Sequence, residues 1–327
     1  VFVQMAGIGP ADQAQAFGRP QQPVEAGVAQ LPAALHIHLL PGRDAVHHVE
    51  HAAVGDQHDE FARMAPGQRI GDGAHPCSQH LQRLAAGRAE IGVQLHPWVS
   101  PPFEEEITVR NTFAGNLPPA LEREKFMRLR AAIKANFGAD PLIYRAGRYG
   151  VGPNTAEILI DGGIAIDTSV RARFDYSVDG GPNFRDFPIR PYWLDQSAGL
   201  MEMPLTTVYW GLLRQLGPWL YPKMWRVPRL RGALARIGLL ERIPLTPEGV
   251  TLEEAVRGID IAVDEALPLL VFSFHSPSLA PGFTPYVRSE DDLDALYDWW
   301  RGVFAYLAQR GVKPVNVRQL MAAVTLA

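Results

Sequence analysis

From residue 81 onward the chain alternates short apolar runs with amphipathic stretches, and this rhythm restricts the fold more than any other feature. "EIGVQLH" (90–96), "LIYR" (142–145), "IAIDTS" (164–169), "LLVFSFHS" (269–276) and "PVNV" (314–317) read as strands. Between them lie helices. "PPALEREKFMRLRAAIKANFG" (118–138) opens on proline, places Leu121, Phe126, Leu129 and Ile133 on one face, and stops at Gly138. "TLEEAVRGIDIAVDEAL" (251–267) has a capping box in Thr251 and Glu254, and 289–311 starts at Ser289 and closes at Gly311. Shorter helices fit "HLQRLAAGRA" (80–89), "PNTAEILIDGG" (153–163) and "RQLMAA" (318–323). Strands that are apolar throughout and separated by helices are covered on both faces, which implies an α/β fold with a parallel sheet or barrel. Residues 195–250, rich in Trp, Pro and Arg, break the rhythm and read as an insertion or lid over one end.

Residues 1–80 have a different character. They hold eight of the ten histidines and no tryptophan, tyrosine or lysine, and their apolar periodicity is poor. Three readings stay open: a loosely ordered extension, a GC-rich gene read in the wrong frame, or a subdomain whose histidines bind metal. His51 lies three and four residues after His48 and His47, a spacing that would put all three on one side of a helix.

The remaining totals mainly exclude. A net charge of -4 gives no general attraction to nucleic acid. Cys77 is the single cysteine, so neither a disulfide framework nor a thiolate cluster is expected. No apolar run approaches the roughly 18 residues of a membrane span, so no stable membrane insertion is expected. With no signal peptide recognised, the expected compartment is cytoplasmic.

In parallel α/β folds, reactive groups gather where strands end. Here His96 follows "EIGVQL", Arg145 with Arg148 and Tyr149 follow "LIY", Asp167 ends "IAID", and His275 follows "LLVFSF". One histidine could hold a metal while the other transfers a proton. Each residue also has a plainer role open to it. Either histidine could simply close its strand, and Arg145 could pair with Asp167.

Taken in order, these strings resemble the polysaccharide deacetylases (carbohydrate esterase family four), in particular a bacterial branch with "HPW" and "HSPSLAPG" signatures. "EIGVQLHPWVSPPF" resembles the family's second motif, "YRAGRYGVGPNT" the third, "IDTSV" the approach to the fourth and "LVFSFHSPSLAPG" the fifth. The likeness covers about the last three quarters of the chain. It implies a distorted (β/α) barrel and a divalent metal, usually zinc, that polarises an acetyl group on a sugar and activates water. By the same resemblance His96 is a metal ligand, His275 the general acid, and Arg145 the orienter of the base or of the oxyanion. Trp98, Tyr149, Arg148 and Trp193 would line the carbohydrate groove.

Two departures bear on the metal. Gln94 stands where the first metal histidine belongs, and an amide oxygen is a weak zinc ligand. The aspartate motif that should precede the second motif is missing. "GDQHDEF" (55–61) offers Asp56, His58, Asp59 and Glu60, but no apolar strand leads into it. The first strand or strands of the barrel are therefore expected to be missing or replaced by a poor substitute such as "LHIHLL" (35–40), with low zinc occupancy and little turnover. Two further function classes follow from these departures. One is a non-catalytic carbohydrate-binding barrel whose aromatics stack on sugars. The other is a surface-associated protein, because 209–240 is aromatic and basic.

Overall fold

A computed structural model describes residues 4–7, 90–224 and 227–325. Ten strands and seven α-helices lie within these residues. The histidine-rich stretch, "LHIHLL", Cys77 and "GDQHDEF" fall outside them.

The fold is mixed α/β around a parallel sheet. Strands β2 (Val93–Leu95), β3 (Ile143–Ala146), β4 (Ile166–Asp167) and β6 (Leu200–Glu202) run parallel, and β5 (Tyr192–Asp195) pairs antiparallel with β6 at the edge. Beyond β6 the chain turns toward β9 (Leu269–Phe272), where Thr206 N donates to Val271 O at 3.1 Å and Val271 N to Thr206 Oγ1 at 2.8 Å. Strand β1 (Gln4–Gly7) lies between β9 and β10 (Lys313–Val315), antiparallel to both. Strands β7 (Thr207–Trp210) and β8 (Glu241–Pro244) form an antiparallel pair. Their long connection carries α3 (Gly217–Lys223) and α4 (Pro228–Arg236).

Most helices start and stop where the sequence places them. Helix α1 (Pro119–Phe137) begins on a proline that needs no donor partner and ends at Gly138, whose φ of 71° suits a residue without Cβ. Helix α2 (Thr155–Asp161) packs near it. Helix α5 (Leu252–Asp264) has the Thr251–Glu254 capping box, and α6 (Glu290–Gln309) has one built from Ser289 and Asp292. Helix α7 (Val317–Thr325) closes the described chain. Along α6, Leu296, Trp299, Trp300, Val303, Phe304 and Leu307 repeat every three or four residues and are buried against α5, β9 and the β7–β8 pair. Burying each such side chain contributes about 1.5–3 kcal/mol.

One boundary differs from the expected insertion at 195–250. Leu200–Glu202 belong to the central sheet, with Leu200 and Met203 fully buried. Of the strands within 195–250, the β7–β8 pair stands outside that five-stranded sheet, together with its connection. The polar turn before β6 hides the return of the chain to the sheet, because a three-residue strand carries too little periodicity to be read.

Candidate functional site

Alternation along β2 decides which groups reach the strand's end. Val93 and Leu95 are buried beneath α1, with Phe126 and Tyr144 in the same cluster. Gln94 and His96 therefore point to the other face. Pro97 starts a 3-10 turn directly after His96. The His96 ring is wedged against Gly147, where a Cβ would lie 2.5 Å from Nδ1 and 2.6 Å from the carbonyl oxygen of Leu95. Trp98 meets the same ring edge-on at 4.7 Å. Nδ1 is buried without a hydrogen-bond partner among the described residues. Burial, with a smaller contribution from the charge of nearby His275, pushes the imidazole down to about 4. His96 is thus neutral near pH 7.

The loop after His96 is held from below by Lys125 on α1. This ammonium is completely buried and donates to the carbonyl oxygens of Pro97, Ser100 and Pro102, and it pairs with Glu105 at 2.9 Å.

His275 stands three residues beyond β9 and is 61% exposed. Its Nδ1 lies 2.6 Å from Glu248 Oε2, and its backbone N–H donates to Oε1 of the same carboxylate at 2.9 Å. Ser278, fully buried, donates its hydroxyl to Oε1 at 2.7 Å. Burial alone would raise the Glu248 carboxyl, but the hydrogen bonds from His275 and Ser278 outweigh it and hold the group below the ordinary carboxylate range. A carboxylate can only accept, so His275 carries a proton on Nδ1 and presents Nε2 for proton transfer. The loop that carries Glu248 is brought here by β9, through Ser273 N donating to Leu245 O at 3.2 Å.

Arg145 is 4% exposed, and its register partner on β2 is Gln94. It does not pair with Asp167. Register sets Tyr144 opposite Asp167, so Arg145 and Asp167 project from opposite faces of the sheet. Nε instead donates to Thr168 O and Oγ1 at 3.2 and 3.1 Å, and the buried Nη2 has no partner among the described residues. Burial lowers this guanidinium to about 10, which leaves it charged at pH 7. Asp167 works on the other face. It accepts from the Ser169 N–H and hydroxyl and is hydrogen-bonded to Glu202, its register partner. Burial pushes both carboxyls up, Asp167 to about 6, so the two share a proton.

Arg148 and Tyr149 follow β3 with φ of 53° and 62°, strained for residues with side chains. Tyr149 stacks on Tyr176 at 5.6 Å beneath the Arg171 guanidinium. Arg148 turns away from the histidines. It lies over Phe113 and bonds Thr112 Oγ1 at 2.6 Å and Asp179 at 3.1 Å. Trp193 packs on the core around Ile143, Ile166 and Met201. Of the expected groove residues, then, Trp98 touches His96 and Tyr149 neighbours Arg145, while the charged end of Arg148 and the indole of Trp193 are occupied elsewhere. Below Glu248 opens a cavity of about 210 Å³ walled by Arg171, Phe174, Tyr221 and Arg242. Both guanidiniums lie over the Phe174 ring, at 4.0 and 3.5 Å.

A zinc ion needs about three protein donors. Among the described residues no three His, Cys, Asp or Glu side chains come together as such a set. His96 contributes one imidazole whose Nδ1 is closed off by Gly147, and Gln94 contributes an amide. Among the described residues these two donors by themselves fall short of a zinc site. Glu248 is the site residue that sequence reasoning missed. Its only sequence signal is an acid shortly before a helix cap.

Comparison of the chain with protein-family models, with curated proteins and with solved structures gave no match.

Proposed function

We propose that the chain is a hydrolase of the polysaccharide deacetylase type, removing an acetyl or other acyl group from a sugar or polysaccharide. The observation that carries this reading is the Glu248–His275 pair, an imidazole fixed by a buried carboxylate at the end of a strand and close to His96. His275 Nε2 takes a proton from the water that attacks the acyl carbon and returns it to the departing amine or alkoxide, and Glu248 stabilises the imidazolium that exists between the two transfers. The unused Nη2 of Arg145 is a preorganised donor for the developing oxyanion. Trp98, which meets His96 edge-on, offers a ring face to the sugar. The parallel run of β2, β3, β4 and β6, and the two hydrogen bonds by which Thr206 ties the chain beyond β6 to β9 of the β9–β1–β10 sheet, support a distorted barrel with β1 in place of a regular first strand.

The test is acetate release from N- and O-acetylated oligosaccharides by the full chain. Turnover that His275→Ala abolishes is the expected result. The incomplete donor set around His96 favours a second reading, a barrel that binds carbohydrate without cleaving it. Binding of the same oligosaccharides with no acetate release, unchanged by His275→Ala, would establish that reading instead.

A further inference from the structure

The connection between β7 and β8 is apolar on two sides. Leu213, Leu220 and Tyr221 turn inward with Leu234 onto Tyr209, Met224 and Leu240. Leu212 in the turn after β7, Leu216 in the 3-10 turn that follows and Trp219 in α3 form a second, outward set, with exposures of 84%, 52% and 63%. Val227, Leu230 and Ile237 add further exposed apolar surface in the same connection. An element buried by one apolar set has no need of another, and contiguous exposed apolar surface marks a place where something docks.

Charge indicates what docks there. Between residues 209 and 240 stand Arg214, Lys223, Arg226, Arg229, Arg231 and Arg236, and no aspartate or glutamate. The chain as a whole is negative, so this density of cations is local. Lys223 Nζ lies 3.3 Å from the centre of the Trp219 ring, placing a cation beside the exposed set. A second copy of the chain, docking through the same connection, would set like charge against like. A surface of anionic lipid headgroups complements the patch in both respects. The cations meet headgroup charge while Leu212, Leu216 and Trp219 enter the boundary with the acyl chains.

We propose that the 209–240 element is a membrane-surface docking site, selective for anionic lipid and peripheral in kind. Among the described residues no helix is long and apolar enough to cross a membrane. This inference stands apart from the hydrolase reading, although Tyr221 links the element to the cavity below Glu248.

The experiment is flotation of the full chain with phosphatidylcholine vesicles, with and without phosphatidylglycerol. Phosphatidylglycerol should raise the bound fraction about tenfold or more at low salt, and high salt should reverse the gain. The double variant Leu212→Glu/Trp219→Glu should lose binding by a similar factor with an unchanged thermal midpoint, because both side chains are exposed. Arg214→Glu/Lys223→Glu should remove the preference for phosphatidylglycerol. A cooperatively folded wild-type chain that ignores both vesicle types would overturn the proposal. So would concentration-dependent dimerisation that Leu212→Glu abolishes, since the exposed set would then be a self-interface.

Discussion

The ends of β2 and β9 carry the same residue type, one and three positions beyond the strand, yet the two histidines have been given opposite environments. At β2 the ring of His96 is pressed between Gly147 and Trp98, its Nδ1 has no partner among the described residues, and burial suppresses its charge. At β9 the ring of His275 stands in solvent and is gripped from behind by Glu248. One environment makes a proton unwelcome, while the other provides a place to hold it. Position on the fold selects which groups meet, and the immediate partners then decide whether a ring nitrogen is closed off, as at His96, or held toward solvent, as at His275.

The comparison breaks most visibly in activity. If only the β9 end handles protons, His275→Ala and Glu248→Ala should each lower acetate release by about 10²–10³-fold, the first at a cost in stability below about 1 kcal/mol and the second at about 1–3 kcal/mol, because the buried Ser278 hydroxyl and the His275 N–H lose their acceptor. His96→Gln should cost far less. Equal losses at both ends, measured as kcat/KM, would make the two histidines a single unit.

Gly147 provides the next test. Its Cβ would strike both the His96 ring and the Leu95 carbonyl, so Gly147→Ala should cost about 1–3 kcal/mol, read as a fall in Tm of several degrees. A neutral outcome would mean that the His96 ring is free to move.

Acid should act on β2 in particular. The unfolded imidazole binds a proton near pH 6.5, but the folded one does so only near 4. Between those values the unfolded state holds more protons at this site, so the contribution of His96 is whole above pH 6.5 and falls as the pH drops toward 4, while Asp167, raised to about 6, contributes in the opposite sense. The loss should be of the order of 1–3 kcal/mol by chemical denaturation, and His96→Gln should flatten the slope in that window. The smallest effect belongs to Trp98→Ala. Admitting water to the ring should raise the His96 titration by about one unit, followed by its imidazole NMR signals.

Much of this arrangement is legible in the sequence. The strand at 269–272 is apolar at every position, and the caps at Thr251 and Ser289 announce α5 and α6 in the local chemistry of three or four residues. The third partner at the β9 end was not legible. Glu248 lies 27 residues before His275, in the stretch read as an insertion, and only the lateral pairing of Leu245 with Ser273 brings it there. Parity was hidden for the same reason. Arg145 and Asp167 each end a strand, but whether they face one another depends on register between strands, and a single strand's sequence does not contain it. The antiparallel β1 is four residues from a segment with little apolar periodicity, and its place between β9 and β10 is a property of those partners.

The buried ammonium of Lys125 has a consequence for anyone who would redesign the mouth. Backbone carbonyls converging on one positive charge are how proteins cage an alkali cation, and here the caged cation is tethered to a helix. The loop after His96 is therefore not a module. Grafted onto another scaffold, shortened or diversified without α1, it would leave the carbonyls of Pro97, Ser100 and Pro102 aimed at an empty centre. Loop and helix have to be carried over, randomised and inherited as one piece.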